Sequence, residues 1–212
     1  MSQIGIEKAY IFRVTHIENV PWLLENGIHC RNSTERDPHF HAIGNPDLIV
    51  KRTNRIVPAG PGGTLSDYVP FYFTPRSPML LNIKTGYNGM RQTPMPEIVV
   101  LVSSLHKVAK DQLLFVFTDR HAYLQAAQFK TDLADLDVVD WKILAARDFR
   151  RDPNDPGKVE RYQAEALIHR RVPVSTLLGL ACYNSQAEKR ARGFFEATGV
   201  SLKTAVKPDW YF

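Results

Sequence analysis

Residues 98–102 read IVVLV, five consecutive apolar residues inside the segment EIVVLVSSL at 97–105. A strand with one face in water alternates polar and apolar side chains, and this one does not. Its β-branched content favours an extended conformation, and it is far too short to span a bilayer. The segment therefore demands an interior strand with material packed on both faces, which rules out a thin one-sided sheet. The rest of the chain has to supply the neighbouring strands and both covering layers.

Further strands are readable from β-branched and aromatic runs: KAYIFRVTH (8–16), VPFYF (69–73), QLLFVFT (112–118), VVDWKIL (138–144) and YQAEALIHRRV (162–172). VSLKTAVKPDWYF closes the chain as another, and PVSTLLGLACY (173–183) reads as a strand or a short helix. NVPWLLENGIHC carries helix punctuation, with Asn19 as cap, Pro21 early and Gly27 as terminator. DRHAYLQAAQF, behind Thr118 or Asp119, and SQAEKRARGFFEATG, with a Ser185–Glu188 capping box and Gly199 as stop, read as helices. Residues 31–67 read as one long loop, a length that in a compact domain points to function. No repeat is present, and many strands with a few short helices make a mixed α+β domain, expected to be single over 1–212.

The formal net charge of +5 favours an anionic partner without identifying it. Arginines cluster in RTNR, RRDPNDP, HRRVP and KRARG, and arginine pairs bidentately with phosphate. No dinucleotide glycine fingerprint, phosphate loop, zinc-protease helix, nucleophile elbow or paired-cysteine motif occurs. His39 and His41 are close but lack a third ligand, so no metal site is expected. Cys30 and Cys182 show no metal spacing, and no secretory leader or membrane helix is evident, which suits a reducing cytoplasm.

One stretch asks for chemistry. KVERYQAEALIHRRVP (158–173) puts Glu160 and Glu165 where a Pro/Asp-rich loop runs into an apolar strand. The plain account pairs both with Arg161, Arg170 or Arg171 at a solvated sheet edge. The alternative aims one carboxylate at a cationic transition state.

Several blocks tip the balance. FRVTHIENVPWLLENGI, YVPFYFTPRSPML, FTDRHA, QAEALIHRRVP and the terminal WYF occur in an order that resembles the DarT family of DNA ADP-ribosyltransferase toxins. The resemblance spans nearly the whole chain, and VPFYFTPRSPML is its most specific part. It implies an ADP-ribosyltransferase fold: antiparallel sheets split around an NAD cleft, with short peripheral helices. It also implies transfer of ADP-ribose from NAD⁺ to thymidine in single-stranded DNA in a short sequence context, guanosine being the target in some relatives. A macrodomain antitoxin encoded alongside, a cytoplasmic setting and no metal complete what it implies.

On this resemblance Glu160 is placed slightly ahead of Glu165 as the catalytic carboxylate, because it adjoins the loop 145–158 assigned to target recognition. On an extended chain the two would point to opposite faces. Either Arg52 or Arg55 would clamp phosphate or polarise the site, a solvated loop arginine being the plain alternative. Arg13, Thr15, His16, Asn19, Tyr72 and Met79 are assigned to NAD⁺, with Tyr72 or Phe71 facing the pocket but not both. Arg76, His121, Arg147, Phe149, Arg150 and Arg151 are assigned to DNA, while Trp22 and Phe194–Phe195 are read as core.

Overall fold

The computed structural model describes residues 4–212; Met1, Ser2 and Gln3, which begin the stretch read above for a leader, lie outside the described residues. The chain runs β1 (Tyr10–His16), α1 (Val20–Asn26), β2 (Ile28–His29), α2 (Pro46–Thr53), β3 (Tyr68–Tyr72) and α3 (Pro78–Thr85). It continues with β4 (Ile98–Ser104), α4 (Leu105–Lys110), β5 (Phe115–Thr118), β6 (Phe129–Lys130), α5 (Trp141–Ala146) and α6 (Lys158–Arg161). β7 (Glu165–His169), β8 (Arg171–Val172), β9 (Gly179–Cys182), α7 (Ser185–Thr198) and β10 (Thr204–Val206) complete it.

The all-apolar segment forms β4 and lies inside an eight-stranded sheet ordered β10-β9-β4-β1-β3-β7-β5-β6. Val99 and Leu101 enter one hydrophobic cluster, while Ile98 and Val100 enter another on the opposite face. Both faces are covered, as the missing alternation requires. All pairings in this sheet are antiparallel except that of β10 with β9.

The sheet is two halves held at one point. β1 and β4 register over seven residues, from Tyr10↔Ser104 to His16↔Ile98. β3 and β7 register over five, from Tyr68↔His169 to Tyr72↔Glu165. Between the halves, β1 and β3 share one register pair, Phe12↔Tyr72. Beyond that pair the halves separate, and Arg13 Nη1 spans the opening to the carbonyl of Pro70 at 2.9 Å. A small second sheet pairs β2 with β8, where Gly27 (φ 82°) turns the chain; a Cβ there would lie 2.7 Å from the Val172 carbonyl.

Several local expectations are corrected. Residues 31–67 contain α2: Asn45 caps it by accepting from the Leu48 N–H and Pro46 starts it, yet it is short, none of its residues is fully buried, and its apolar Leu48, Ile49 and Val50 are adjacent instead of spaced at the helical period. Residues 138–144 are a helix start, not a strand, because Asp140 caps α5 through the Ile143 N–H. Residues 119–128 form turns instead of a helix. Three of their backbone groups bond to side chains: Ala122 N–H to Glu165 and the Leu124 carbonyl to Arg55, both from outside the segment, and Gln128 N–H to Asp119 at its start. Asn19 makes no cap bond. The long helix α7 is capped by Asn184, not by a box from Ser185, and stops as expected at left-handed Gly199. Lys158–Arg161 is a single helical turn, so Glu160 is not on the strand at all.

The terminal WYF locks the closed half of the sheet. Trp210 and Tyr211 are buried, and the Tyr211 hydroxyl sits 3.1 Å from the Ile98 carbonyl and 3.0 Å from that of Ala181, on adjacent strands. Tyr211→Phe is expected to lower unfolding stability by about 1–3 kcal/mol, seen as a reduced urea midpoint at unchanged m-value.

Candidate active site

At the separation between the two half-sheets lies a cavity of about 450 Å³, a size suited to a nucleotide-scale ligand. Glu165, the first residue of β7, stands in its wall with 1% of its side chain exposed. Arg52 Nη1 donates to both carboxylate oxygens, at 2.9 Å and 3.2 Å. The Ala122 N–H donates to Oε1 at 3.0 Å, and His121 Nδ1 lies 3.1 Å from the same atom. Burial alone raises the pKa of Glu165, but the Arg52 charge, the His121 ring and the Ala122 amide together hold it at about 2. The carboxylate is thus ionised at neutral pH in a place shielded from water.

Arg52 comes from the last turn of α2, 113 residues away in sequence. Its Nη2 is buried with no hydrogen-bond partner among the described residues. A buried guanidinium nitrogen left unpaired in a cavity wall is a donor suited to a ligand oxygen. Arg55 does not enter the cavity; it braces the 119–128 loop through the carbonyls of Ala122 and Leu124.

The residues assigned to NAD⁺ are largely brought together. Arg13, Thr15, Asn19, Tyr72 and Met79 all line the cavity. Tyr72 faces it, with its hydroxyl 3.8 Å from Met79 Sδ, while its neighbour Phe71 is buried in the core. Burial and then the Glu165 charge push the Tyr72 hydroxyl well above the usual phenol range, so it stays protonated. Loss of hydration and the nearby Arg52 bring Arg13 down to about 10, still cationic at neutral pH. His16 does not line the cavity. It bonds to Glu97 at 3.2 Å and accepts from the Glu18 N–H; burial first, with His41 adding to it, lowers its pKa.

Glu160 is set apart from Glu165. Its side chain is 43% exposed, pairs with Arg120 at 3.5 Å and is not in the cavity wall. The opposite-faces argument fails because one helical turn and a bend, not an extended run, separate the two glutamates. Geometry therefore favours Glu165 over the ordering drawn from sequence.

Of the residues assigned to DNA, His121 sits inside the cavity against Glu165. Phe149 is tilted against Tyr162, with centroids at 5.0 Å, and edge-on to Phe212, with centroids at 5.8 Å. Arg76 lies over the Phe212 ring at 4.5 Å. Arg147 ends α5 in a left-handed conformation beside Asp209. Arg150 folds back on Asp148, and Arg151 is exposed. The loop between α5 and α6 is fastened at its base, where Arg161 bridges Asp140 and Asp155 and Lys158 holds Asp148. It is a braced platform that carries its exposed arginines outward.

Sequence reasoning missed other lining residues. Gln163 precedes Glu165 by two and also lines the cavity, from the turn before β7, where strand alternation gives no signal. Trp22, read as core, and Phe40 line it too. Among the described residues no cluster of three or more His, Cys, Asp or Glu could hold a metal ion, and no helix is long and apolar enough to cross a membrane.

Comparison with known proteins agrees with this arrangement. The family model described as "ssDNA thymidine ADP-ribosyltransferase, DarT" matches residues 12–212. A DNA ADP-ribosyl transferase of Escherichia coli O127:H6 is 50% identical over 211 residues, covering 100% of this chain and 97% of that protein. The DarT of Thermus sp. 2.9 superposes with a TM-score of 0.90 in complex with ADP-ribosylated ssDNA, at 32% identity and 97% coverage of both chains. Its NAD⁺ complex superposes at 0.86, covering 97% and 98%. A Thermosipho africanus protein that fuses a DNA ADP-ribosyl transferase to a DNA ADP-ribosyl glycohydrolase is 24% identical over 161 residues, covering 74% of this chain and 38% of that protein.

A split, mostly antiparallel sheet with a buried, arginine-paired carboxylate in its cleft, together with these matches, marks the chain as an ADP-ribosyltransferase. More narrowly, the chain belongs to the DarT family of single-stranded-DNA thymidine ADP-ribosyltransferases.

Proposed function

We infer that this chain transfers ADP-ribose from NAD⁺ to a thymidine base of single-stranded DNA, with Glu165 as the catalytic carboxylate. The observation that carries the assignment is the ionised Glu165 buried in the cavity wall, fixed by Arg52 and the Ala122 amide. NAD⁺ supplies the ADP-ribosyl group: its sugar–nicotinamide bond breaks with the electron pair leaving on nicotinamide, a bond from the same sugar carbon to the base forms, and the base releases one proton. Glu165 stands ready to accept a hydrogen bond from a ribose hydroxyl and to face the positive charge that builds on the sugar. The protein holds that charge partner rigid beforehand, so no reorganisation is needed at the moment of reaction. Arg52 holds the carboxylate with one nitrogen and offers the unpaired Nη2 to a ligand oxygen. Arg13, Thr15, Tyr72 and Met79 bind the dinucleotide, and Asn19, in the same wall, positions the segment of His41. Exposed Arg150 and Arg151 on the braced loop contact the DNA backbone, where basic side chains track phosphate.

The same reading makes the protein the toxin of a toxin–antitoxin pair acting in the cytoplasm. Its antidote would be a macrodomain-type hydrolase, which the Thermosipho africanus fusion of transferase and glycohydrolase supports.

Incubation with NAD⁺ and a thymidine-containing single-stranded oligonucleotide is expected to add one ADP-ribose and release nicotinamide, read by mass spectrometry. Unmodified thymidine strands alongside modified thymidine-free strands, RNA or protein would refute the substrate assignment.

A further inference from the structure

Among the described residues, Phe40 is the only exposed large hydrophobic side chain in the cavity wall. It leaves 53% of its surface in water and belongs to none of the hydrophobic clusters. Yet its place is fixed. The next residue, His41, is gripped at both backbone groups by buried Asn19, whose Oδ1 accepts from the His41 N–H at 2.8 Å and whose Nδ2 donates to the His41 carbonyl at 3.0 Å. The His41 ring stacks on His16, with centroids at 4.7 Å and an interplanar angle of 13°. On the other side the Phe40 N–H reaches the carbonyl of Asp37. An exposed aromatic ring held at a cavity wall from both flanks is a surface prepared for another flat ring.

The sheet register says which ring. Glu165 pairs with Tyr72, and Tyr72 pairs with Phe12, so the carboxylate is level with Phe12 on β1. His16, which carries the His41 stack, is four residues further along that strand, a displacement of about 13 Å at the usual rise per residue. The sugar that reacts must meet Glu165. The Asn19–His41 bonds and the His41–His16 stack tie the segment of Phe40 to that end of β1, which favours the part of an extended dinucleotide away from the reacting sugar.

We propose that Phe40 is the stacking platform for the adenine ring of NAD⁺, held in place by Asn19 through the backbone of His41; this rests on the functional reading above. The test is calorimetric titration of the wild type, Phe40→Ala and Phe40→Tyr with NAD⁺, ADP-ribose and nicotinamide mononucleotide, together with steady-state kinetics. Phe40→Ala is expected to weaken NAD⁺ and ADP-ribose about tenfold each, the scale of a base–aromatic stack. Nicotinamide mononucleotide, which lacks adenine, should bind both proteins alike. KM for NAD⁺ should rise in parallel with little change in kcat, and Phe40→Tyr should stay within about threefold of wild type, because the stacking face is kept. Because Phe40 is exposed, thermal melts of both variants should match the wild type. Unchanged affinity for NAD⁺ in Phe40→Ala would overturn the proposal. So would an equal loss for the mononucleotide, or a loss confined to the KM for DNA, which would place a nucleobase of the strand there instead. A wild-type protein that bound no NAD⁺ would count against the functional reading itself.

Discussion

Glu165→Gln is expected to slow ADP-ribosylation of a single-stranded oligonucleotide by about 10³-fold, the scale of removing a preorganised charge from a transition state. Glu160→Gln should stay within about twofold of wild type. The asymmetry follows from position. Glu165 is buried against Arg52, His121 and the Ala122 amide in the cleft, whereas Glu160 is half exposed on α6 and pairs with Arg120 outside it. Glutamine keeps the shape of Glu165 but not its charge, so a folded, NAD⁺-binding and slow enzyme is the signature to seek. Single-turnover rates, read with a thermal melt and an NAD⁺ titration, separate this from simple unfolding. The reverse pattern, with Glu160→Gln inactive and Glu165→Gln active, would return the assignment to the glutamate nearest the recognition loop.

The second large effect is expected at Arg52. Arg52→Ala leaves a buried carboxylate without its main cation, and such a loss costs about 3–5 kcal/mol of stability. Turnover should fall at least 100-fold, because Glu165 loses both its orientation and the bias that keeps it ionised. The pH dependence carries a sign. Glu165 titrates at about 2 in the folded protein, below the ordinary 4.5. Its charge therefore stabilises the fold above the unfolded value, and this contribution is lost as pH falls through the folded one. Without Arg52, burial dominates and pushes the pKa upward. The variant should lose stability and residual activity on acidification at a higher pH than the wild type. Arg52→Lys keeps the cation but loses the fork, so its loss of stability should be smaller and its loss of turnover still large. Parallel wild-type and Arg52→Ala pH profiles would show that this arginine does not govern the charge of Glu165.

What could be read without coordinates was local. The unbroken apolar run of β4 required cover on both faces and has it. Alternation assigned one of Phe71 and Tyr72 to the core and the other to the cleft, as found. The glycine stops after α1 and α7 also stand, because each glycine takes a positive φ, at Gly199 the left-handed cap, that ends a helix wherever that helix sits. Errors fell where backbone partners came from elsewhere in the chain. The 119–128 segment has helical composition, but Glu165 and Arg55 from outside it bond the Ala122 N–H and the Leu124 carbonyl, Asp119 bonds the Gln128 N–H, and the segment forms turns. Helix α2 was invisible for the opposite reason: it buries nothing fully, and its task is to present Leu48, Ile49 and Arg52 to the cavity.

The chain's order of side chains by itself determined a β-rich domain with a doubly covered central strand, the family to which it belongs and the pool of residues from which a site would be drawn. Which of them meet was decided by the tertiary structure. Arg52 reaches Glu165 across 113 residues, and Phe40 is set by a clamp from Asn19. Glu160 was turned away by one helical turn. Side-chain periodicity is a property of a few neighbouring residues. The approach of distant ones depends on strand order and on where a sheet parts, and here that is beyond the single pair Phe12↔Tyr72.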